Sequence, residues 1–142
     1  MEAVEVNGYT IEPGADLRRA DLSAVNLAGA DLSAVNLEGV DLNGAWLEGT
    51  DLPGADLSRA NLWGANLQEA DLTEANLAGA NLLRANLSGT NFYKANLQEA
   101  DLTEANLERA NLRRADLTGA TADKNTIWPD GFDPVAAGVI FD

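Results

Sequence analysis

Neither cysteine nor histidine occurs in the 142 residues of the chain. The first absence excludes disulfides and thiolate metal sites. The second removes the commonest general base and the commonest metal ligand, and with them any Ser-His triad. Bases are scarce as well: nine Lys and Arg stand against 23 Asp and Glu, a formal net charge of −14. Such a chain repels nucleic acid and anionic membranes, so no direct nucleic-acid binding and no membrane binding are expected. No run approaches the ~18 apolar residues of a membrane helix. The acidic opening MEAVEVNGYTIEPG lacks the basic-then-apolar order of a secretory leader. A cytoplasmic location is the expectation. The shortage of bases is uneven. Asp21, Asp31, Glu38, Asp41, Glu48, Asp51 and Asp56 fall in a stretch without Lys or Arg, whereas Arg59, Arg84, Lys94, Arg109, Arg113, Arg114 and Lys124 follow it.

What the chain has instead is a leucine at every fifth position. The series runs from Leu17 through Leu22 and Leu27 to Leu117, broken only by Phe92. In a helix a step of five residues advances about 140° beyond a full turn, so these leucines would scatter around the cylinder. In a long strand, residues five apart point to opposite faces. The spacing therefore fits neither element, although ADLTEANLAGANLLRANLSG (70–89) has good helix propensity.

The rest of each unit is equally regular. Two residues before the leucine stands Ala, Val or Thr; one before it stands Asp or Asn, except at Trp46. The two residues after it vary and are mostly polar or Gly. A leucine and the residue two before it share one side of an extended segment, so both can point inward. The Asx between them points outward, and the variable pair forms a corner suited to Asx and Gly chemistry. Units of one short side plus one corner wind into a coil, and stacked coils bury the leucines that one unit cannot.

The tandem A(D/N)LXX grammar over residues 15–119 resembles the pentapeptide-repeat proteins. The tail TADKNTIWPDGFDPVAAGVIFD is similar to that of cyanobacterial members. The resemblance implies an all-β fold, a right-handed quadrilateral β-helix of about five coils, in which residues twenty apart stack. The coil spacing implies a rod roughly 25 Å long. Stacking would set Arg18 over Glu38, Glu74 over Lys94, Arg84 over Glu104 and Tyr93 beside Arg113, surface pairs worth at most about 1 kcal/mol each.

The domain plan is an N-terminal cap (1–14), the β-helix (15–119) and a C-terminal cap (120–142). Val4, Val6, Tyr9 and Ile11 alternate out of phase with the repeat, and Pro13-Gly14 breaks into it, which suggests an irregular first coil. Ile127 and Phe132 keep the five-residue phase. Asp133-Pro134 reads as N-cap and first helical residue, with a short helix over 135–137 ending at Gly138. Trp128, Phe132, Val139, Ile140 and Phe141 are expected to cover the last coil.

Two surface features stand apart. Trp46 breaks the Asx column, Trp63 points outward one corner away, and Leu83 stacks above Trp63. Together they form an apolar patch of the kind that marks a partner site, or else rings that shield a corner. Asp31, Asp51 and Asp71 stack on one side and Asp21 and Asp41 on another. This acidic face could imitate DNA phosphates, and some family members are DNA mimics that bind type II topoisomerases. Alternatively these carboxylates serve neighbouring backbone, as Asn does higher in the same column. A flat column of carboxylates offers too few oxygens for a specific Ca²⁺ site, and Ser23, Ser33, Ser58 and Ser88 have no base to activate them. The expectation is a monomeric, non-enzymatic interaction module or scaffold without cofactor, metal site or catalytic residues, acting on an unidentified protein partner. The alternative is an acidic DNA mimic acting on a DNA-handling protein.

Overall fold

A computed structural model describes residues 4–142. The Asx residues bridge in parallel to residues twenty later: Asp16 to Asn36, Asp21 to Asp41, Asn26 to Trp46, Asp31 to Asp51, and onward to Asp101 with Thr121. Four five-residue units therefore complete one turn of the coil. Each side supplies only a few extended residues before the next corner, so the ladder consists largely of single-residue bridges.

Hydrogen bonding along the ladder repeats without change. Leu67 N–H donates to the Asn86 carbonyl at 2.8 Å, and Asn66 N–H donates to the Ala45 carbonyl at 2.9 Å. Each corner closes with a bond from the next inward residue, as from Ala70 N–H to the Leu67 carbonyl at 3.0 Å. The second corner residue takes a left-handed φ throughout, including Glu69 (61°), Arg84 (61°) and Arg114 (60°). That pattern defines a type II turn, which favours Gly at this position. Non-glycine residues hold it at a cost of about 1–2 kcal/mol each, and the ladder on both sides of the corner keeps them there.

The leucine column and the small residues two before it form one core. Leu47, Leu67 and Leu87 are inaccessible or nearly so, as are Ala45, Ala65 and Ala85. Each buried leucine contributes about 1.5–3 kcal/mol gross. Thr50 and Thr90 occupy alanine positions and are also buried. Their hydroxyls donate to the carbonyls of Leu47 (2.6 Å) and Leu67 (2.7 Å), so no buried polar group is orphaned there.

The N-terminal cap differs from the irregular coil expected. Strands β1 (Val4–Val6) and β2 (Tyr9–Ile11) form an antiparallel hairpin. Asn7 and Gly8, both at positive φ (52° and 83°), make its two-residue turn. Ile11 enters the core, with Val6 and Tyr9 packed partly against it.

Two expectations for the C-terminal cap are corrected. Asn106 bridges to Ile127, twenty-one residues on, so the tail carries one extra residue. Thr126 takes the inward position, with its hydroxyl on the Leu102 carbonyl at 2.9 Å, like the hydroxyls of Thr50 and Thr90. Ile127 is displaced to the outward column, half exposed. Asp133 caps as expected, its carboxylate accepting from Ala136 N–H at 3.1 Å. The following segment makes a single turn, not a helix. The chain is then drawn into β4 (Ile140–Phe141), parallel to β3 (Thr121–Ala122). Val139 is buried, Trp128 stacks on Phe132 with centroids 5.3 Å apart, and Ile140 and Phe141 stay substantially exposed.

Candidate interaction surfaces

Outward Asx residues have a defined task. The side-chain oxygen accepts the N–H two residues later: Asn66 from Gln68 at 3.0 Å, Asn61 from Trp63 at 3.1 Å, Asn91 from Tyr93 at 3.0 Å. This bond orders the first corner residue. Trp46 cannot make it. Its ring is 53% exposed. The next corner also carries an unusual group: Glu48 Oε1 is shielded from solvent without a hydrogen-bond partner among the described residues.

Trp63 stands at the corner one coil above, its carbonyl accepting from Gly44 N–H at 2.9 Å, and is 41% exposed. Leu83 follows above it, half-buried, its carbonyl accepting from Gly64 N–H at 2.9 Å. The backbones of Trp46 and Trp63 are thus about 10 Å apart around one corner. Their rings do not stack on each other; among the described residues the stacked pair is Trp128–Phe132. A Cβ built on Gly44 would meet open space, so neither ring lies over that glycine.

The acidic residues fall into the two columns expected. With the four sides of the coil numbered from the one that carries Asp16, the residues Asp31, Asp51 and Asp71 bridge in succession on the fourth side, and Asp21 bridges to Asp41 on the second. Most do local work. Asp31 Oδ1 accepts from the Ser33 N–H (3.1 Å) and hydroxyl (2.6 Å), and Asp71 Oδ1 from those of Thr73 (3.0 and 2.6 Å). Asp21 has Ser23, and Asp41 accepts from Asn43 N–H at 3.0 Å. Asp51 differs, because Pro53 has no N–H to offer. The Ser33 hydroxyl, followed by the Ser33 N–H, holds the Asp31 carboxyl below the usual carboxylate range, and Ser23 does the same for Asp21. Ser33→Ala should therefore raise the titration midpoint of Asp31 towards its ordinary value while leaving that of Asp21 in place. Carbon-detected NMR titration measures both, and an unmoved Asp31 midpoint would remove the hydroxyl from the account.

Ion pairs follow the stacking only in part. Arg84 reaches Glu104 at 3.2 Å, as expected. Arg18 pairs instead with Asp16 in its own corner at 2.8 Å, and Glu38 is taken by Arg59 at 3.1 Å. Glu74 and Lys94 form no ion pair among the described residues; Lys94 lies over the Tyr93 ring at 5.4 Å, with Arg113 at 6.0 Å. Arg109 spans two coils to Glu69 at 3.4 Å and also binds the Ser88 hydroxyl at 3.0 Å. Gly89 lies between them, and a Cβ there would run into the Glu69 carboxylate.

Comparison with known proteins accords with this geometry. The family model for pentapeptide repeats matches residues 15–54, 55–93 and 95–124. No curated protein matches the chain. Among solved structures, a pentapeptide repeat protein (Rfr23) from the cyanobacterium Cyanothece 51142 is 33% identical with a TM-score of 0.54, over 81% of this chain and 88% of that one. A pentapeptide repeat protein of the Arabidopsis thaliana thylakoid lumen is 31% identical with a TM-score of 0.57, over 70% of this chain and 66% of that one. QnrB1, a plasmid-mediated fluoroquinolone resistance protein, aligns at 18% identity and a TM-score of 0.46, over 86% of this chain and 79% of that one, too distant to inform function. The chain belongs to the pentapeptide repeat family.

Proposed function

We propose that the chain is a non-enzymatic interaction module, a rigid right-handed quadrilateral rod whose Trp46–Trp63 side binds a protein partner. One observation carries this reading. At Trp46 an exposed ring replaces the Asx that would have bonded the following corner, so local stability is given up at that position. Trp63 and Leu83 extend the apolar surface over the next coils. Aromatic anchors of this kind commonly carry about 2 kcal/mol or more of an interface.

The test is the double change Trp46→Asn, Trp63→Ser. Asn restores the side-chain acceptor and both inward neighbours, Ala45 and Leu47, are untouched. The melting temperature should hold or rise, and affinity for the partner should fall at least about tenfold. A sharp fall in melting temperature would make the rings structural.

A second reading, an acidic DNA mimic acting on a DNA-handling protein, draws on Asp51. It stays acidic and exposed although Pro53 leaves it no local N–H to accept. Changing Asp31, Asp51 and Asp71 together to Asn preserves the column chemistry and should leave partner binding intact if the tryptophan side is the site. Loss of salt-sensitive binding in this triple variant alone would favour the acidic face.

A further inference from the structure

The upper edge of the last coil is not closed equally on its sides. On the second side β4 pairs with β3, and on the third Leu107 N–H donates to the Ile127 carbonyl at 2.7 Å. On the fourth side the edge at 110–114 stays open: Leu112 N–H, Arg114 N–H and the Ala110 carbonyl have no backbone partner among the described residues. One coil below, the equivalent groups are all paired. Phe92 N–H donates to Asn111, Lys94 N–H to Arg113, and Thr90 accepts from Asn111 N–H, at 2.8, 3.1 and 2.9 Å. The tail does not fill the place of the missing strand. It leaves a trough of about 380 Å³ between Ala110–Arg113 and Pro129–Phe132.

We propose that this trough receives an extended acidic peptide segment of a protein partner, added as one more parallel strand to the fourth side. Peptide carbonyls would accept from Leu112 and Arg114, and a peptide N–H would donate to Ala110, as in the coil below. The apolar wall formed by Ala110, Leu112, Pro129 and Phe132 would take one side chain. The charge preference comes from the Arg113 end. Lys94, Arg113 and Arg114 are exposed and form no ion pair among the described residues, in a chain of net charge −14. They gather around one ring: Lys94 and Arg113 lie over Tyr93, and the positive charge of Arg114, with that of Lys94, lowers the phenol pKa. Asp130 lines the trough itself, and the hollow adjoining it past Ala110 carries Glu108 with Arg109, which is already paired to Glu69, so a carboxylate belongs at the Arg113 end. The tail already pairs along two sides of the last coil, which favours a single added strand over a second copy stacked end to end.

This inference rests on the reading of the chain as an interaction module but not on its tryptophan side. The experiment uses ¹⁵N-labelled full chain and a short blocked peptide alternating valine and glutamate, with a valine–lysine counterpart and a backbone N-methylated counterpart. The acidic peptide should shift the Leu112 and Arg114 amides and slow their exchange, and both counterparts should bind more weakly. The Arg113→Ala, Arg114→Ala variant should lose about tenfold in affinity. The Trp46→Asn, Trp63→Ser variant should bind the peptide unchanged, which separates this edge from the other surface. Unmoved amides over 110–114, or equal binding of the lysine peptide, would overturn the proposal. So would concentration-dependent protection of Leu112 in the free protein, which would assign the edge to a second copy.

Discussion

Leu67→Asp should abolish the cooperative folded state. Leu67 is inaccessible, with Leu47 below it and Leu87 above it in the same column and Ala65 and Ala70 beside it. The change removes about 2–3 kcal/mol of transfer free energy and places a carboxylate where no base is available inside the coil. An unpaired buried charge costs several kcal/mol more. Domain stabilities of about 5–15 kcal/mol leave little in reserve. Circular dichroism and thermal melts should show a β-type signal with a cooperative transition in the wild type and neither in the variant. A folded Leu67→Asp protein would mean that the leucine column does not form the core.

Two proline substitutions two residues apart should separate sharply. Asn66 N–H is a rung of the ladder, donating to Ala45. Asn66→Pro deletes that donor, strands a buried carbonyl and presses the proline ring against the adjacent coil, a loss on the order of 3 kcal/mol. Gln68 sits at the first corner position, where proline suits a type II turn. Its N–H serves only the Asn66 side chain. Gln68→Pro should cost no more than about 1 kcal/mol, and Pro53 already occupies the equivalent corner position. Denaturant melts of both variants check the register directly. Equal losses would contradict the assignment of side and corner.

The inward grammar was legible because periodicity survives any detail of packing. Leu at every fifth position and a small residue two before it correctly name the core. The number of sides was not legible, since a period of five fixes the unit but not how many units close a turn; that came from the family resemblance. Asn7-Gly8 between alternating apolar residues is a strong hairpin signal, and it outweighs the break that Pro13-Gly14 makes into the repeat. The single-residue shift in the tail was masked because Ile127 and Phe132 sit in phase with the leucines. The clue was Thr126, which repeats the buried hydroxyl role of Thr50 and Thr90. Local capping signals at Asp133-Pro134 were genuine, but pairing of Ile140 with Thr121 draws the chain away after one turn. Surface ion pairs were the least legible, because long side chains such as Arg18 can choose an acid in their own corner over one a coil away.

Every surface assignment depends on residues twenty apart being neighbours. The absence of native cysteine makes a direct measurement possible. Asn66 bridges to Asn86, and adjacent rungs of a sheet lie about 5 Å apart, within the reach of a disulfide. The Asn66→Cys, Asn86→Cys protein should oxidise to an intramolecular crosslink with its melting temperature maintained. The Asn66→Cys, Asn81→Cys protein, whose cysteines lie on different sides, should remain reduced under the same conditions. Crosslinking of the second pair in preference to the first would contradict the four-unit coil and dissolve the columns that define both proposed surfaces.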